Sequence, residues 1–331
     1  QKYFNDWKGV GPRAPEPPFG DPSPQGTPVR VLIEPTLPTT VSIAYLRPWR
    51  KVNDTIAYNE QLLVDALALQ IVNRRLEVQA RNGGNYLFAQ IAQEDISRTA
   101  DATLVSLTPI GDKWEAATRD VRAIIADATT TAPSVADIDR EKTLFGNALR
   151  TMLDSYPFEA AAKQADDIVN AVDIRETVAA PKTVVQVYEG IKDKFTPERL
   201  LASTQKLFSA DVIRLLVSSP TPIPDADNRA LAALNASVAA NTSARLSEKT
   251  LGFAALPKLG APGELVAEDI LSRWDVTRLE LSNGVRALLY PNKAESGQIR
   301  ILVRFGRGYQ AVNPDQGGLL WAGPLVLPEN G

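Results

Sequence analysis

Hydrophobic residues alternate with polar ones in short segments of the chain, and between these segments they recur at helical spacing. The strand pattern, rich in β-branched and aromatic residues, covers four early segments: 29–35, 40–48, 85–96 and 101–110. Helical spacing over 53–81 predicts a long amphipathic helix, with Asp54 as its N-cap and Gly83-Gly84 at its exit. A second helical pattern over 112–128, with Trp114 turned inward, completes a β-β-α-β-β-α order.

The middle of the chain is predicted to be almost wholly helical. Prolines and hydroxyl caps divide residues 134–208 into helices that begin near four positions: Ser134, Pro157, Pro181 and Thr196-Pro197. A short buried strand over 211–219 and an Ala-rich helix over 228–241 follow. The stretch 244–275 contains several prolines and glycines, so we expect it to be irregular.

The last part of the chain shows strand patterns again. TRLELSNGVRALLYPNK and GQIRILVRFGRGY predict three strands, the first two joined by a hairpin turn at Asn283-Gly284. A hairpin plus one strand is marginal in water by itself. We therefore expect residues 276–331 to be the truncated start of a further module, joined through a linker over 246–275 to a complete module over 28–245.

The N-terminal residues have the pattern expected for the end of a preceding helix, followed by a linker. Tyr3, Phe4 and Trp7 form one apolar stripe over residues 1–10, which predicts the tail of a preceding helix. Residues 11–27 are rich in proline, which fixes φ and disfavours helix at the residue before it, so they predict an extended linker.

Two missing residue types limit the chemistry more than any residue that is present. The 331-residue chain contains no His and no Cys, which excludes Ser-His-Asp and thiol catalysis and every zinc site that uses either ligand. A formal net charge of −3 provides no basic field for nucleic acid. No apolar run approaches the roughly 18 residues that span a bilayer. Carboxylate, lysine or oxygen-ligand metal chemistry remains open, as does a role without catalysis.

One acidic group could suggest an oxygen-ligand metal site. Asp137, Asp139 and Glu141 follow the predicted cap Ser134. Carboxylates in a first helical turn favour the helix dipole, and this group lacks the loop spacing of a calcium site. The pattern therefore favours capping over metal binding.

The order of these segments resembles the pitrilysin/insulinase-type zinc peptidases, a family that includes mitochondrial processing peptidase. VSIAYLRPWRKVND and QIVNRRLEVQARNGG, within 28–245, resemble parts of the family's inactive module, and RLELSNGVRALLYPNK with ILVRFGRGYQA resembles the opening of the next module. KYFNDWKG resembles the last helix of a preceding module. The resemblance implies an α+β fold, with a mixed β-sheet covered by helices.

The resemblance also implies that this chain does not bind zinc in the family's manner. The catalytic module carries Gly-Leu-x-His-x-x-Glu-His, in which two His bind zinc and the Glu activates water. Gly318-Leu319 match its start, but the first His position falls on Trp321, the Glu position on Pro324 and the second His position on Leu325. Zinc would then belong to a catalytic module of the parent protein that this chain lacks.

Arg81 and Phe88 fall, by the same resemblance, at the positions of the family's substrate-gripping Arg and Tyr. In the functional interpretation, Arg81 binds a substrate carbonyl or carboxylate. In the structural interpretation, Arg81 interacts with the C-terminal end of a helix dipole and Phe88, which has no hydroxyl to donate, belongs to the core. The residues by themselves favour the structural interpretation.

The resemblance implies a non-catalytic fragment of a zinc-dependent endopeptidase that forms part of a peptide-enclosing chamber. The alternative is a non-enzymatic structural or interaction module of the same fold. Expected partners are the remaining modules of the parent protein, an unfolded peptide substrate and a second copy of this chain. The resemblance to bacterial members implies a periplasmic or secreted protein.

Overall fold

A computed structural model describes residues 17–245, 260–291 and 301–304, together with a few single positions before residue 17. The chain separates into two compact units, residues 1–250 and residues 251–331. The predicted N-terminal stripe of Tyr3, Phe4 and Trp7 lies outside the described residues.

The first unit contains a mixed sheet. Its strands are β1 (Val29–Ile33), β2 (Thr40–Pro48), β3 (Tyr86–Ile96), β4 (Ala100–Pro109) and β5 (Val212–Ser219). Their order in space is β1-β5-β2-β4-β3; β1 runs parallel to β5, and every other pair is antiparallel. All five lie in segments that the sequence predicted as strands, and β3 lies at one edge of the sheet.

The helices of the first unit also follow the predicted order. They are α1 (Ile56–Arg81), α2 (Trp114–Thr130), α3 (Val135–Ser155), α4 (Ala161–Asp173), α5 (Pro181–Ile191), α6 (Pro197–Phe208) and α7 (Ala226–Asn235). The predicted caps are confirmed: Ser134 Oγ accepts from Asp137 N at 3.1 Å, and Thr196 Oγ1 accepts from Arg199 N at 3.3 Å. Pro157, however, lies in a short 3₁₀ turn before α4 rather than at its start.

The N-cap of α1 differs from the prediction. Thr55, not Asp54, caps the helix, because Thr55 Oγ1 accepts from Tyr58 N at 3.2 Å. The Asp54 carboxylate instead accepts the backbone N–H of Thr177 at 2.8 Å, from a segment far along the chain. The backbone N–H of Thr177 therefore binds the carboxylate that the sequence pattern assigned to the N-cap of α1.

Helix α1 is central to the packing. Its residues Leu69, Val72 and Leu76 belong to the apolar core formed with the sheet, α2, α6 and α7. Its residues Leu67 and Ile71 belong to a second apolar cluster formed with α3, α5 and α6. Because α1 is buried on two sides, it connects the sheet to the outer helices, and the α+β fold with a helix-covered mixed sheet is confirmed.

The second unit contains a three-stranded antiparallel sheet. Its strands are β6 (Leu265–Leu271), β7 (Val276–Leu281) and β8 (Arg286–Leu289), in that order. The predicted Asn283-Gly284 turn is confirmed: Gly284 has φ +84°, a conformation that glycine adopts without strain, and its N–H donates to Leu281 O at 2.9 Å.

Two expectations for the second unit were wrong. Strand β6 lies within residues 244–275, which the prolines and glycines of that stretch had predicted to be irregular. A strand forms there because pairing with β7 satisfies the backbone hydrogen bonds of β6. The third predicted strand does not include residues 301–304, which have no regular structure. Across the described part of the chain, no helix has the length and apolar character needed to cross a membrane.

Candidate functional site at the edge strand β3

The turn from α1 into β3 positions the residues that the sequence singled out. Gly83 has φ +88°, which favours glycine. Gly84 donates its N–H to Gln79 O at 2.8 Å, and a Cβ on Gly84 would lie only 2.8 Å from that same oxygen. Both glycines are therefore needed, the first for its backbone angle and the second for close approach, and the predicted helix exit is confirmed.

Arg81 is the last residue of α1 and is exposed. Its guanidinium forms an ion pair with Glu77, one turn earlier on the same helix. Glu77 also accepts from Arg74 Nη1 at 2.7 Å. A cation at this end of a helix is favourable against the dipole. The position of Arg81 thus agrees with the structural interpretation while leaving its side chain on the surface.

Phe88 is not a core residue, which corrects the structural interpretation. The pairing of β3 with β4 shifts register between Tyr86 and Phe88. Such a bulge breaks the alternation of side chains between the two faces of a strand. Tyr86 is buried, and its hydroxyl donates to Leu76 O at 2.7 Å, whereas Leu87 and Phe88 are 69% and 54% exposed. The two neighbours form an exposed apolar pair at the start of the edge strand.

The outer edge of β3 is partly occupied by a side chain of α1. Asn73 Nδ2 donates to Ile91 O at 2.9 Å, and Ile91 N donates to Asn73 Oδ1 at 2.7 Å. In an antiparallel ladder both backbone groups of one residue point to the same side, so those of Ile91 point away from β4. The Asn73 amide therefore takes the place that a peptide group of another strand would fill.

The backbone N–H and C=O groups two residues before and after Ile91 point in the same direction as those of Ile91. Ala89 and Gln93 lie two residues before and after it, so the alternation of the ladder turns their N–H and C=O groups toward the same outer edge. Within the described sheet, β3 pairs only with β4. An extended peptide could therefore add to β3 at its two ends, beside Leu87 and Phe88 at one of them, but not at Ile91.

The residues of this chain do not fit a zinc site. The sequence has no His or Cys, and the described residues contain no group of three or more His, Cys, Asp or Glu side chains that could hold a metal ion. Trp321, Pro324 and Leu325, the positions at which the resemblance predicts a degenerate zinc motif, lie outside the described residues. No chemical step on this chain is therefore assigned to zinc.

The acidic group at the start of α3 is bound by cations of the chain itself. Glu141 pairs with Arg74 Nε at 3.2 Å, and Asp139 pairs with Lys142 Nζ at 3.0 Å. Asp137 pairs with Arg140 one turn along α3. Each of the three carboxylates therefore has a cation of the chain as its charge partner.

Comparisons with known proteins identify the fold. No protein-family profile and no curated protein matches the sequence. Among solved structures, the periplasmic protease PqqL from Escherichia coli aligns with a TM-score of 0.55 at 16% identity, over 83% of this chain and 31% of that one. A "predicted insulinase family protease" from Yersinia pestis aligns with a TM-score of 0.57 at 15% identity, over 71% of this chain and 52% of that one.

A third structure shares the fold at a similar level. The ferredoxin protease FusC, in a complex with Arabidopsis ferredoxin, aligns with a TM-score of 0.50 at 18% identity, over 85% of this chain and 32% of that one. The chain therefore has the fold of insulinase-type peptidases, as its segment order predicted. It spans between about a third and a half of the length of these proteins.

Proposed function

We propose that this chain is a non-catalytic part of a zinc-dependent endopeptidase. One observation carries the proposal: the fold matches a periplasmic protease over 83% of this chain, yet the sequence has no His or Cys with which to build that family's zinc site. Zinc and the catalytic groups would reside in another module of the parent protein. By the same analogy, we place the parent protein in the periplasm or outside a bacterial cell.

In this proposal the first unit, with its complete module over 28–245, forms a wall of the chamber that encloses an unfolded peptide. The exposed pair Leu87 and Phe88 provides apolar contact, and the neighbouring backbone of β3 provides hydrogen bonds. Arg81 lies on the surface at the end of α1, where its guanidinium is paired with Glu77 and would also attract a peptide carboxylate. The remaining modules of the parent protein would complete the chamber.

A second candidate function is an interaction module without any enzymatic context. The hydrogen bonds between Asn73 and Ile91 favour it, because they close the centre of the edge that a peptide would otherwise extend. A sheet edge that is covered by a side chain in this way is typical of proteins that prevent the addition of another strand. The two candidates differ in whether the isolated chain binds unfolded peptides.

We expect the isolated chain to bind no stoichiometric zinc and to cleave no peptide. The reason is the lack of His and Cys, the residues that form catalytic zinc sites together with carboxylates. Zinc binding is measured by metal analysis after dialysis against zinc. Peptide cleavage is measured by mass spectrometry of reduced, alkylated casein that has been incubated with the chain. One zinc per chain, or cleavage that a chelator stops, would contradict the non-catalytic assignment.

Peptide binding is measured on the same samples by fluorescence anisotropy of a labelled casein fragment. Phe88→Ala should weaken binding by about tenfold to a hundredfold, since an aromatic side chain that becomes buried contributes roughly 1.5–3 kcal/mol. Phe158→Ala removes an exposed ring from the short 3₁₀ turn before α4, where it is 69% exposed, and is the matched control. If neither the wild type nor the control binds the fragment, the interaction module becomes the better assignment.

We also propose that the second unit, the start of a further degenerate module, is covered by a second copy of this chain. Residues on both faces of its sheet are exposed, among them Ile270 at 71% and Leu288 at 68%, and small open sheets are unstable alone. Light scattering should give a dimer for the full chain and a monomer for residues 1–250. Monomers in both cases would leave no role for a second copy.

A further inference from the structure

A cavity of about 370 Å³ lies in the first unit, where β2, β3 and β4 meet α1, α6 and the segment after α4. Its volume falls in the range of small-molecule sites. Five carboxylates line it: Asp65, Glu94, Asp95, Asp101 and Glu176. Only Arg50 and Lys206 bring positive charge to the lining. The cavity therefore has an excess of negative charge.

Some of this charge is already balanced. Asp101 receives a two-point ion pair from Arg47, with Nε at 3.1 Å and Nη2 at 3.0 Å. The buried Asp65 accepts from Ser203 Oγ at 2.7 Å and from Lys206 Nζ at 3.4 Å. These two carboxylates have the partners that a folded protein requires of buried charge.

Arg50 contributes little to the remaining carboxylates. Its guanidinium is held by Asp21, with Nη1 at 2.7 Å from the carboxylate oxygen. Asp21 belongs to the segment before β1 and does not line the cavity. Arg50 is thus already paired with a carboxylate outside the cavity lining.

Asp95 and Glu176 add to each other's negative charge. Glu176 accepts the neutral hydroxyl of Tyr58, at 3.2 Å, and Asp95 is an exposed residue of the edge strand β3 that lies opposite Asp101 in the ladder. Desolvation, together with the negative charges of Asp101 and Glu176, raises the pKa of Asp95 to about 6, although Arg47 acts in the opposite direction. Both carboxylates would be stabilised by a positive charge placed between them.

The rest of the lining favours an organic cation over a metal ion. Trp49 and Tyr58 bring aromatic rings to the cavity, and such rings attract ammonium and guanidinium groups. No group of three metal-ligating side chains exists among the described residues. We propose that this cavity binds an alkylammonium or guanidinium group between the carboxylates of Asp95 and Glu176. The group comes either from a free polyamine or from a basic side chain of a peptide.

Isothermal titration calorimetry on the full chain tests the proposal with three probes. Spermidine represents a free polyamine, Nα-acetyl-lysine N-methylamide represents a basic side chain, and the norleucine analogue is its uncharged match. We expect binding of at least one cationic probe and none of the norleucine analogue. A stronger response to spermidine identifies a polyamine site, and a stronger response to the lysine probe identifies a side-chain site. No binding of either cation at millimolar concentration overturns the proposal.

Substitutions then locate the binding. Asp95→Asn keeps the shape of the side chain and removes its charge, and it should weaken cation binding about tenfold, the effect of one close charge pair of about 1.4 kcal/mol. Glu176→Gln retains an acceptor for Tyr58 and should act in the same direction. Asp166→Asn removes the same charge from the exposed face of α4 and should leave binding unchanged. Equal affinities for wild type and Asp95→Asn would overturn the assignment.

The pH dependence provides a separate readout. Cation affinity should fall as pH drops through about 6, because Asp95 is protonated there. The other charged groups that act on Asp95 or line the cavity beside it are the carboxylates of Asp101 and Glu176 and the cations Arg47 and Lys206. The part of the pH dependence of cation affinity that is absent in the Asp95→Asn variant is due to the titration of Asp95. A pH profile that this variant leaves unchanged contradicts the proposed site.

Discussion

Replacing Asp127 with Asn should lower the free energy of unfolding of the first unit by about 3–5 kcal/mol, the cost of breaking a buried ion pair. Asp127 on α2 and Arg75 on α1 are 1% and 3% exposed, and Arg75 Nη1 lies 3.2 Å from the Asp127 carboxylate. Burial lowers the pKa of Arg75, and Asp127 acts against this shift. Without the Asp127 carboxylate, the charge of the Arg75 guanidinium is left in the interior with too little opposite charge nearby.

Arg245 offers a matched control on the same carboxylate. It also binds Asp127, with Nε 3.0 Å from Oδ2, but its side chain is 41% exposed. Arg245→Ala should therefore cost less than about 1 kcal/mol, as exposed pairs do. Urea denaturation followed by far-UV circular dichroism measures both variants, because the helices of the described chain belong to the first unit. Similar small losses for both would show that the buried pair is not important for stability.

Replacing Asn73 with Leu should cost roughly 2–3 kcal/mol, because two backbone groups of Ile91 lose their partners together. Leucine is close to asparagine in size but cannot donate or accept. The amide hydrogen of Ile91 should also exchange much faster with solvent, which hydrogen exchange measured by NMR would detect. Both effects follow from one side chain that takes the place of a neighbouring strand.

Asn170 provides the control for this substitution. It is exposed on α4, and Asn170→Leu should change stability by less than about 0.5 kcal/mol. If Asn73→Leu has an equally small effect, water must replace the lost bonds, and the edge of β3 is open to solvent at Ile91. In that case a peptide could pair along the whole strand, which would strengthen the proposed peptide-binding role.

Local pattern was sufficient for most elements of the first unit. Alternation and helical spacing predicted its five strands and the order of its helices, because burial of one face imposes the period of the element on the sequence. Ser134 and Thr196 were identified as caps since each only has to reach a backbone N–H three residues ahead. Asn283-Gly284 likewise encodes a turn within a few residues.

Composition alone also limited the chemistry. The complete absence of His and Cys is a property of the sequence that no folding can change. It excludes a zinc site built from His or Cys on this chain, whatever the positions of Trp321, Pro324 and Leu325 in space. That part of the functional interpretation needed no structure.

Tertiary structure decided the features that depend on distant partners. Phe88 is exposed because β3 bulges against β4, and alternation within β3 cannot reveal the register of its neighbour. Asp54 left the cap of α1 for Thr177, which lies 123 residues away. The cavity around Asp95 and Glu176 exists because strands and helices from separate parts of the chain converge there. Local spacing records the period of one element, whereas these features arise from contacts between elements.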